Sequence, residues 1–316
     1  MDSQKNSCGI GLVDLDTSHP QAWLSILRRL GYAVIGVCDG GTVYPPGYAA
    51  EFARRNDVPL LFDTVEDMAA HPDVKIAIVH SCDWDLHTVR AAPFVTRGKA
   101  VLIDKPIAGR LDHLEQFRAW HNAGARITGG SSLRFAPEVR RLSQRIERDG
   151  KPRMLLTGCG VDEFNYGIHA YSMVAGILGP GIEAARHVGI QRGVHQIELR
   201  WRDGAQALLW VGGKAWLPFY ATVVHTDSVE HLQVNVDTLY DALLEQVMPY
   251  LSGVVDRAPL PFEQLIEPEM AALAVQCSLQ RAGEWVSLGD RAIARAHYDG
   301  AVFGRSYRAA KLGIEQ

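Results

Sequence analysis

The first 125 or so residues alternate between two hydrophobic patterns. Short, continuous apolar runs at residues 9–13 and 33–38 predict buried strands. Between them, apolar side chains recur at three- and four-residue spacing over residues 20–30, which predicts a helix that Gly31 ends. The alternation continues with predicted helices at residues 48–55, 65–70, 86–96 and 111–123 and predicted strands at residues 75–80 and 100–103.

This order of elements decides the fold class of the first half. Strands that alternate with helices form right-handed crossovers and hence a parallel sheet covered on both faces. The predicted strands are apolar along their whole length, as strands buried on both faces are. We therefore predict an α/β protein whose N-terminal domain, residues 1–127, is a Rossmann-type doubly wound parallel sheet.

The second half has a different pattern. Strand-like segments follow one another without a helix between each pair, and Arg202-Asp203-Gly204 between two of them is a hairpin signal. These segments are residues 154–157, 197–201, 207–211, 219–225 and 231–236, followed by predicted helices at residues 239–251 and 262–280. We predict a C-terminal α+β domain, residues 128–316, with a mostly antiparallel open sheet. An open sheet face commonly finds a partner, so we expect a homo-oligomer, a dimer or tetramer, formed through this sheet.

Composition and charge narrow the classes of partner. Hydrophobic residues make up 47% of the 316 residues and the formal net charge is −4, which does not favour nucleic-acid binding. No apolar stretch approaches the roughly 20 residues of a membrane span. The polar start at residues 1–7 does not resemble a secretion signal, and the five cysteines are scattered without a CxxC pair. We expect a cytoplasmic protein that acts on a small molecule.

Several motifs, in order, resemble the Gfo/Idh/MocA family (glucose–fructose oxidoreductase, inositol dehydrogenase and MocA). Residues 98–106, GKAVLIDKP, are similar to the family's strand and Glu-Lys-Pro signature, with Asp104 in place of glutamate. Residues 132–137, SLRFAP, resemble its entry into the second domain, and Tyr166-Gly167-Ile168-His169 resembles the segment that begins the helix beneath the substrate. The resemblance implies an oxidoreductase that transfers hydride between a nicotinamide cofactor and a sugar, cyclitol or related hydroxy compound.

Lys105 is the first candidate catalytic residue. It follows the carboxyl end of a predicted parallel strand, where open α/β sheets bind ligands. An ammonium group there can hydrogen-bond a substrate hydroxyl and stabilise charge on its oxygen as hydride leaves the carbon. The other interpretation is a surface lysine paired with Asp104.

His169 is the second candidate, because the resemblance places the matching histidine against the reacting carbon. The family's acidic residue four positions earlier is Asn165 here, so acid–base work would pass to His169. Tyr166 is a further catalytic candidate, and the substrate pocket would be lined by Trp84, Lys105, Arg134 and His169. A buried structural histidine remains the alternative for His169.

The resemblance fails at the first strand–helix turn. Where the family has G-x-G-x-x-G, this chain has Asp14, Asp16 and His19 at the three glycine positions. Side chains there block the approach of a pyrophosphate to the helix, and two carboxylates would repel it. Cofactor binding is therefore the least secure implication of the resemblance.

Three alternatives stay open for this turn. Asp16 or Thr17 could cap the helix and occupy the amides that otherwise hold phosphate. The loop could lie further out, with Thr17, Ser18 and the helix amides holding the cofactor. Asp14, Asp16 and His19 could also bind a metal, although this spacing alone is weak evidence and we predict no metal site.

The remaining cofactor candidates follow other strands. Cys82 and Asp83 stand where the family has a Thr-Pro-Asn turn beside the nicotinamide ribose, and Asp39 is placed to accept the adenosine ribose hydroxyls, which favours NAD over NADP. The predicted cofactor-binding set is Asp14, Asp16, Thr17, Ser18, His19, Asp39, Cys82, Asp83, His87 and Asp104. The missing glycines keep a second function open: a cofactor-independent relative, either a lyase or isomerase or a non-catalytic ligand binder.

Overall fold

The structure is a computed structural model that describes residues 8–314, so the polar start at residues 1–7 lies outside the described residues. The predicted N-terminal fold is confirmed: six parallel strands lie in the order β3-β2-β1-β4-β5-β6. The strands are β1 (Gly9–Val13), β2 (Ala33–Cys38), β3 (Leu60–Leu61), β4 (Val74–Val79), β5 (Ala100–Ile103) and β6 (Ile127–Gly129). The helices of this half are α1 (His19–Arg29), α2 (Tyr48–Arg55), α3 (Val65–Ala70), α4 (His87–Val95) and α5 (Leu111–Asn122).

The central strands of this sheet are buried from both sides. Every residue of β1 and β5 is buried, which is why their sequences are apolar without alternation. A Cβ on Gly11 would lie 2.3 Å from the Met68 sulfur, so glycine lets helix α3 pack directly on β1. The strand order reverses between β1 and β4, and ligands of such sheets bind in the crevice at that point.

The second sheet has seven strands in the order β12-β11-β7-β10-β9-β8-β13. All its pairings are antiparallel except that of β7 with β10, which confirms a mostly antiparallel sheet. The strands are β7 (Met154–Cys159), β8 (Ile182–Gln191), β9 (Val194–Trp201), β10 (Gln206–Gly212), β11 (Tyr220–Val224), β12 (Val229–Gln233) and β13 (Val286–Ser287). The helices are α6 (Pro137–Asp149), α7 (Gly167–Leu178), α8 (Leu239–Leu251), α9 (Phe262–Gln280) and α10 (Gly300–Leu312).

Strand β8 and helices α7 and α10 are among the elements of this half that differ from the prediction. Strand β8 was absent from it, because bulges at Ile182/Ala184 and His187/Gly189 interrupt its in–out alternation. Helix α7 stands between β7 and β8, so the first pair of strands does have a helix between its members. Helices α7 and α9 pack on one sheet face, while Trp210 on the other face stays 48% exposed. The homo-oligomer through this sheet stays a prediction.

Two C-terminal helices lie against the first half of the molecule. Leu243, Val247 and Met248 of α8 belong to the same buried cluster as Ile10 and Trp23. Helix α10 packs on the 3₁₀ turn Trp84–Leu86 that follows β4. The first sheet includes β6, which runs to Gly129, and the division at residue 127 stays a prediction. Within residues 8–314, no helix combines the length and the apolar character that crossing a membrane requires.

Candidate active site

A cavity of about 360 Å³ lies where the carboxyl ends of β1 and β5 face the second domain. The second half of the chain contributes helix α8 and the loop after β10 to the lining. Residues from both halves therefore surround the cavity. It is lined by Ser18, His19, Lys105, Ser132, Tyr166, His169, Trp216, Phe219, Val236, Leu239 and Tyr240. Lys105, Tyr166 and His169, three of the predicted catalytic residues, are thus brought together.

Lys105 reaches across the boundary between the two halves. Its Nζ donates to the backbone oxygen of Asn165 at 3.1 Å and to Asn165 Oδ1 at 2.8 Å. The ammonium group also lies 5.4 Å from the centre of the Tyr166 ring. Burial lowers the pKa of Lys105. Asn165 therefore positions the Lys105 ammonium group, which lines this cavity.

His169 lies in the first turn of α7 and is 8% exposed. Its Nδ1 lies 2.7 Å from the Ser131 hydroxyl, and its ring packs against Tyr166 and Phe219. Burial, with a further contribution from Lys105, holds the pKa of His169 well below its usual range. This imidazole is neutral at physiological pH and serves as a hydrogen-bonding group.

A second histidine faces the same cavity. His19 Nδ1 lies 2.6 Å from Asp104 Oδ2, and His80 Nδ1 lies 3.1 Å from the same oxygen. The His19 ring stacks on Trp23 with a centroid distance of 5.4 Å. The sequence analysis named His19 as a cofactor-binding candidate and as a possible metal ligand, but it did not single out His80. The available signal was positional: His80 and Asp104 directly follow β4 and β5, and His19 begins the helix that comes after β1.

The two carboxylates of the first turn are buried rather than exposed to the crevice. Asp14 and Asp16 are both 0% exposed. Asp14 accepts hydrogen bonds from Gly40 N at 2.8 Å, from Arg90 Nε at 3.0 Å and from the Ser81 hydroxyl. The repulsion expected between these side chains and a phosphate is therefore weakened, because Arg90 offsets the charge of Asp14.

The Asp16 carboxylate binds the loop after β4 and does not cap helix α1. Its Oδ2 accepts from Cys82 N at 2.9 Å, and Oδ1 is buried without a hydrogen-bond partner. Burial, and next the charge of Asp14, raise the pKa of Asp16 to about 7. Thr17 Oγ1, by contrast, accepts from His19 N at 3.2 Å, while the N-cap residue Ser18 makes no side-chain capping bond, so Thr17 occupies one amide at the helix start.

The raised pKa of Asp16 predicts a pH-dependent stability. Between about pH 4 and 7 the folded protein holds a proton on Asp16 that the unfolded chain releases, so stability falls as pH rises through this window. Asp16→Asn removes this titration. We expect its free energy of unfolding, relative to the unmodified protein, to increase by about 2 kcal/mol between pH 5 and pH 7. Urea unfolding at both pH values measures it, and Asp57→Asn, at an exposed turn, is the control. A difference that does not change with pH would contradict a protonated Asp16.

The metal alternative for this turn does not assemble. Asp14 and Asp16 bind Arg90 and Cys82 respectively, on the other side of the loop from His19. In the described part of the chain, the group whose ligand atoms converge within 4.8 Å is His19, His80 and Asp104. Its shortest separation, 2.6 Å, is that of a hydrogen bond between His19 and Asp104.

Several other predicted site residues lie away from the cavity. Trp84 is 3% exposed because its Nε1 donates to Tyr298 O and its ring packs on Phe303. Arg134 is buried and donates to Gln264 O at 2.6 Å. Burial lowers the pKa of Arg134 to about 10. Neither side chain lines the cavity, so the structure does not place them against a substrate.

Two more residues of the predicted cofactor set have structural partners. Both ring nitrogens of the fully buried His87 lie within 3.0 Å of backbone oxygens, those of Ile107 and Ser81. Asp83 accepts from Asp85 N at 3.0 Å and so begins the 3₁₀ turn. These contacts shape the loop after β4 and leave no free polar atom on His87 for a ligand.

A second cavity, of about 480 Å³, lies at the end of β2. Asp39 lines it together with Gly40, Gly41 and Tyr44, and Arg308 of α10 faces it from the other side. Asp39 Oδ1 accepts from Leu15 N at 3.2 Å. This is the predicted position of the adenosine ribose, so the crevice has one open cavity at each end.

Helix α10, which was not predicted, lies over the middle of the crevice. A Cβ on Gly304 would be 3.4 Å from Asp83 Cβ and 3.7 Å from the Cys82 sulfur, so the helix backbone rests on this loop. Burial, and then Tyr44, raise the pKa of the Tyr307 hydroxyl. Arg308, the next residue of the same helix, lines the cavity at Asp39.

Comparison with known proteins agrees with this architecture. Residues 8–124 match the family described as "Oxidoreductase family, NAD-binding Rossmann fold" (GFO_IDH_MocA). The trans-1,2-dihydrobenzene-1,2-diol dehydrogenase of Bos taurus is 30% identical over 99 residues, which cover 31% of this chain and 28% of the relative. The match to this curated relative thus spans less than a third of its length.

Over nearly its whole length the chain is similar in fold to two solved structures from Lactobacillus casei. One is myo-inositol dehydrogenase in complex with NAD(H) and myo-inositol, with a TM-score of 0.76 at 13% identity, covering 91% of this chain and 99% of that one. The other is scyllo-inositol dehydrogenase with NAD(H) and scyllo-inositol, with a TM-score of 0.74 at 14% identity, covering 90% and 100%. The predicted resemblance is confirmed: residues 8–124 match the Gfo/Idh/MocA oxidoreductase family, and the chain as a whole is similar in its two-domain fold to the inositol dehydrogenases.

Proposed function

We propose that this protein is a nicotinamide-dependent oxidoreductase that acts on a CH–OH group of a sugar, cyclitol or related hydroxy compound. The observation that carries the proposal is the position of Lys105. It stands at the carboxyl end of β5, is aimed by two bonds from Asn165, and shares the cavity with His169. A cavity of about 360 Å³ at this edge of the sheet, lined by both polar and apolar side chains, suits a small polyhydroxy substrate.

The residues along the crevice fit a dinucleotide at both of its ends. Asp39, beside the larger cavity, offers a carboxylate for ribose hydroxyls, which favours NAD. Thr17 is partly exposed and Ser18 exposed at the start of α1, so their hydroxyls and amides remain available for phosphate. The carboxylates of Asp14 and Asp16 are turned inward and do not line this path.

The chain's own residues divide the work of the reaction. When bound, the nicotinamide supplies the hydride acceptor or donor. Lys105 donates a hydrogen bond to the reacting oxygen and stabilises negative charge there. His169, neutral and fixed by Ser131, hydrogen-bonds the substrate and sets its orientation.

Calorimetric titration of the purified protein with NADH and NADPH tests the proposal first. We expect micromolar binding of NADH and weaker binding of NADPH, because Asp39 repels a 2′-phosphate. A screen of inositols, sugars and polyols for absorbance of reduced cofactor then identifies the substrate. No binding of either dinucleotide at millimolar concentration would overturn the proposal.

A second candidate function is supported by the closed middle of the crevice. The packing of α10 against the loop after β4 narrows the path between the two cavities. A protein that had lost the dinucleotide could still use Lys105 and the cavity histidines for proton transfer, as a lyase or isomerase. In this second candidate function the cavity at Lys105 binds the substrate, and the cavity at Asp39 binds no cofactor.

Tyr307→Ala separates the two candidates. If a dinucleotide occupies the crevice, removing this ring widens its narrowest part, and we expect the Kd for NADH to fall about three- to tenfold. Arg305→Ala, on an exposed position of the same helix, is the control and should leave the Kd unchanged. Weaker binding in Tyr307→Ala would show that the ring contacts the cofactor. No binding in either variant or the unmodified protein favours the second candidate.

A further inference from the structure

Two histidines, His19 and His169, line the reaction cavity, and they differ in the group that the Nδ1 atom of each ring contacts. The Nδ1 atom of His19 faces a carboxylate, Asp104 Oδ2, at 2.6 Å. The Nδ1 atom of His169 faces a hydroxyl, Ser131 Oγ, at 2.7 Å. An imidazole that takes a proton becomes a cation, and a carboxylate on its other nitrogen stabilises that cation and fixes the tautomer. A hydroxyl supplies no such charge.

Asp104 is ionised, and its contacts with Lys105 N, His19 and His80 fix its position. Its Oδ1 accepts from the backbone N of Lys105 at 2.7 Å, while its Oδ2 faces both His19 and His80. Although burial alone would raise the pKa of Asp104, the neighbouring His19 and His80 hold it well below its usual range. The carboxylate is 3% exposed, so little water screens its interaction with His19.

His80 is the second histidine that contacts Asp104. It is fully buried, its Nδ1 lies 3.1 Å from Asp104 Oδ2, and its Nε2 has no hydrogen-bond partner. Burial lowers the pKa of His80, so a neutral ring donates its Nδ1 proton to Asp104. His80 does not line the cavity and acts by holding the carboxylate in place.

The His19 side chain lines the cavity, and two aromatic neighbours hold its ring. The stack on Trp23 and the edge contact with Tyr240, at a centroid distance of 5.1 Å, fix the ring plane. With Nδ1 bonded to Asp104, Nε2 is the atom left for a ligand. Lys105 directly follows Asp104 in the chain, so the acid–base nitrogen and the ammonium group share one anchor.

We propose that His19 is the acid–base residue of this site and that Asp104 is its positioning residue. The inference rests on the proposed function and moves the acid–base role from His169, where the family resemblance places it, to a position the family fills with glycine. During oxidation of a CH–OH group, the hydroxyl proton passes to His19 Nε2. The carbon-bound hydrogen leaves with both electrons as hydride to the nicotinamide, and the new carbonyl oxygen accepts a hydrogen bond from Lys105.

The His19–Asp104 pair can be tested without any turnover. In the full chain labelled with ¹⁵N-histidine, the proton on His19 Nδ1 is expected well downfield of exposed imidazole protons, because it lies in a short bond to a carboxylate. His19→Gln should remove this resonance, and Asp104→Asn should remove it together with that of His80. His169→Gln should retain both. Absence of the downfield resonance from the unmodified protein would overturn the inference whether or not the protein is a dehydrogenase.

Kinetics with the substrate from the polyol screen then test the role. We expect His19→Gln to lower kcat about 10²- to 10³-fold with KM changed less than about threefold, since general-base assistance contributes about 10²- to 10⁴-fold. Added imidazole should restore at least about a tenth of the lost rate in His19→Ala. His231→Gln, on an exposed position of β12, is the control. Near-normal kcat in His19→Gln beside a collapse in His169→Gln would return the role to His169 and leave the proposed function standing.

A metal ion is the rival occupant of this cluster, since its three groups are metal ligands by type. Elemental analysis of the purified protein separates the two. Stoichiometric zinc or another divalent metal that is lost in both His19→Gln and His80→Gln would overturn the acid–base pair. Absence of stoichiometric metal, together with the downfield resonance, supports it.

Discussion

Replacing Lys105 with methionine is expected to reduce kcat/KM of hydride transfer about a thousandfold while the Kd for NADH stays within about threefold. Methionine keeps the length of the side chain and its packing against Tyr166, but it removes the charge that stabilises the reacting oxygen. Lys105 is only partly exposed, so water does not replace the lost interaction efficiently. Most of the loss should appear in kcat, because the oxygen carries its largest charge in the transition state.

Steady-state kinetics and calorimetry on Lys105→Met measure the two quantities separately. Lys75→Met, which replaces an exposed lysine of β4, is the matched control and should retain full activity. If Lys105→Met kept more than about a tenth of the activity, the bond to Asn165 would be a contact that joins the two halves, and Lys105 would not be catalytic.

How far the sequence predicted this molecule depends on the range of the interactions involved. Strands Ala33–Cys38 and Ala100–Ile103 and helix Leu239–Leu251 were predicted to the residue, since an apolar run or a helical repeat is encoded in neighbouring positions. Helix Gly300–Leu312 was not predicted. The position of this helix depends on Gly300 and Gly304, which let the helix backbone approach the loop around Asp83, more than 200 residues earlier in the chain.

The candidate site shows the same division. Lys105 and His169 could be named from motifs, whereas the pair His19–Asp104 spans 85 positions and forms only when β1 and β5 lie in one parallel sheet. The sequence also could not show that Asp14 is buried. Judged alone, a carboxylate in a strand–helix turn suggests repulsion of phosphate, and Arg90, 76 positions later, changes that conclusion.

Arg90→Met should therefore be the most destabilising substitution at the rewritten turn. The Asp14 carboxylate is fully buried, and Arg90 is the cation bonded to it, at 3.0 Å. Removing one partner of a buried ion pair leaves an uncompensated charge, so we expect the free energy of unfolding to fall by about 3 kcal/mol at pH 7. The bonds from Gly40 N and Ser81 remain, which keeps the loss at the lower end of the range for such pairs.

Urea unfolding of three variants isolates this effect. Arg97→Met, on an exposed residue just after the same helix, should change the free energy of unfolding by less than about 0.5 kcal/mol. Adding Asp14→Asn to Arg90→Met removes the unpaired charge, and asparagine tolerates the left-handed backbone at position 14, where φ is 59°. The double variant should thus be more stable than Arg90→Met alone. If Arg90→Met cost less than about 1 kcal/mol and the second substitution recovered nothing, Asp14 would not carry a charge in the folded protein. In that case the turn would lack the buried ion pair that, on our account, keeps its carboxylate from repelling phosphate.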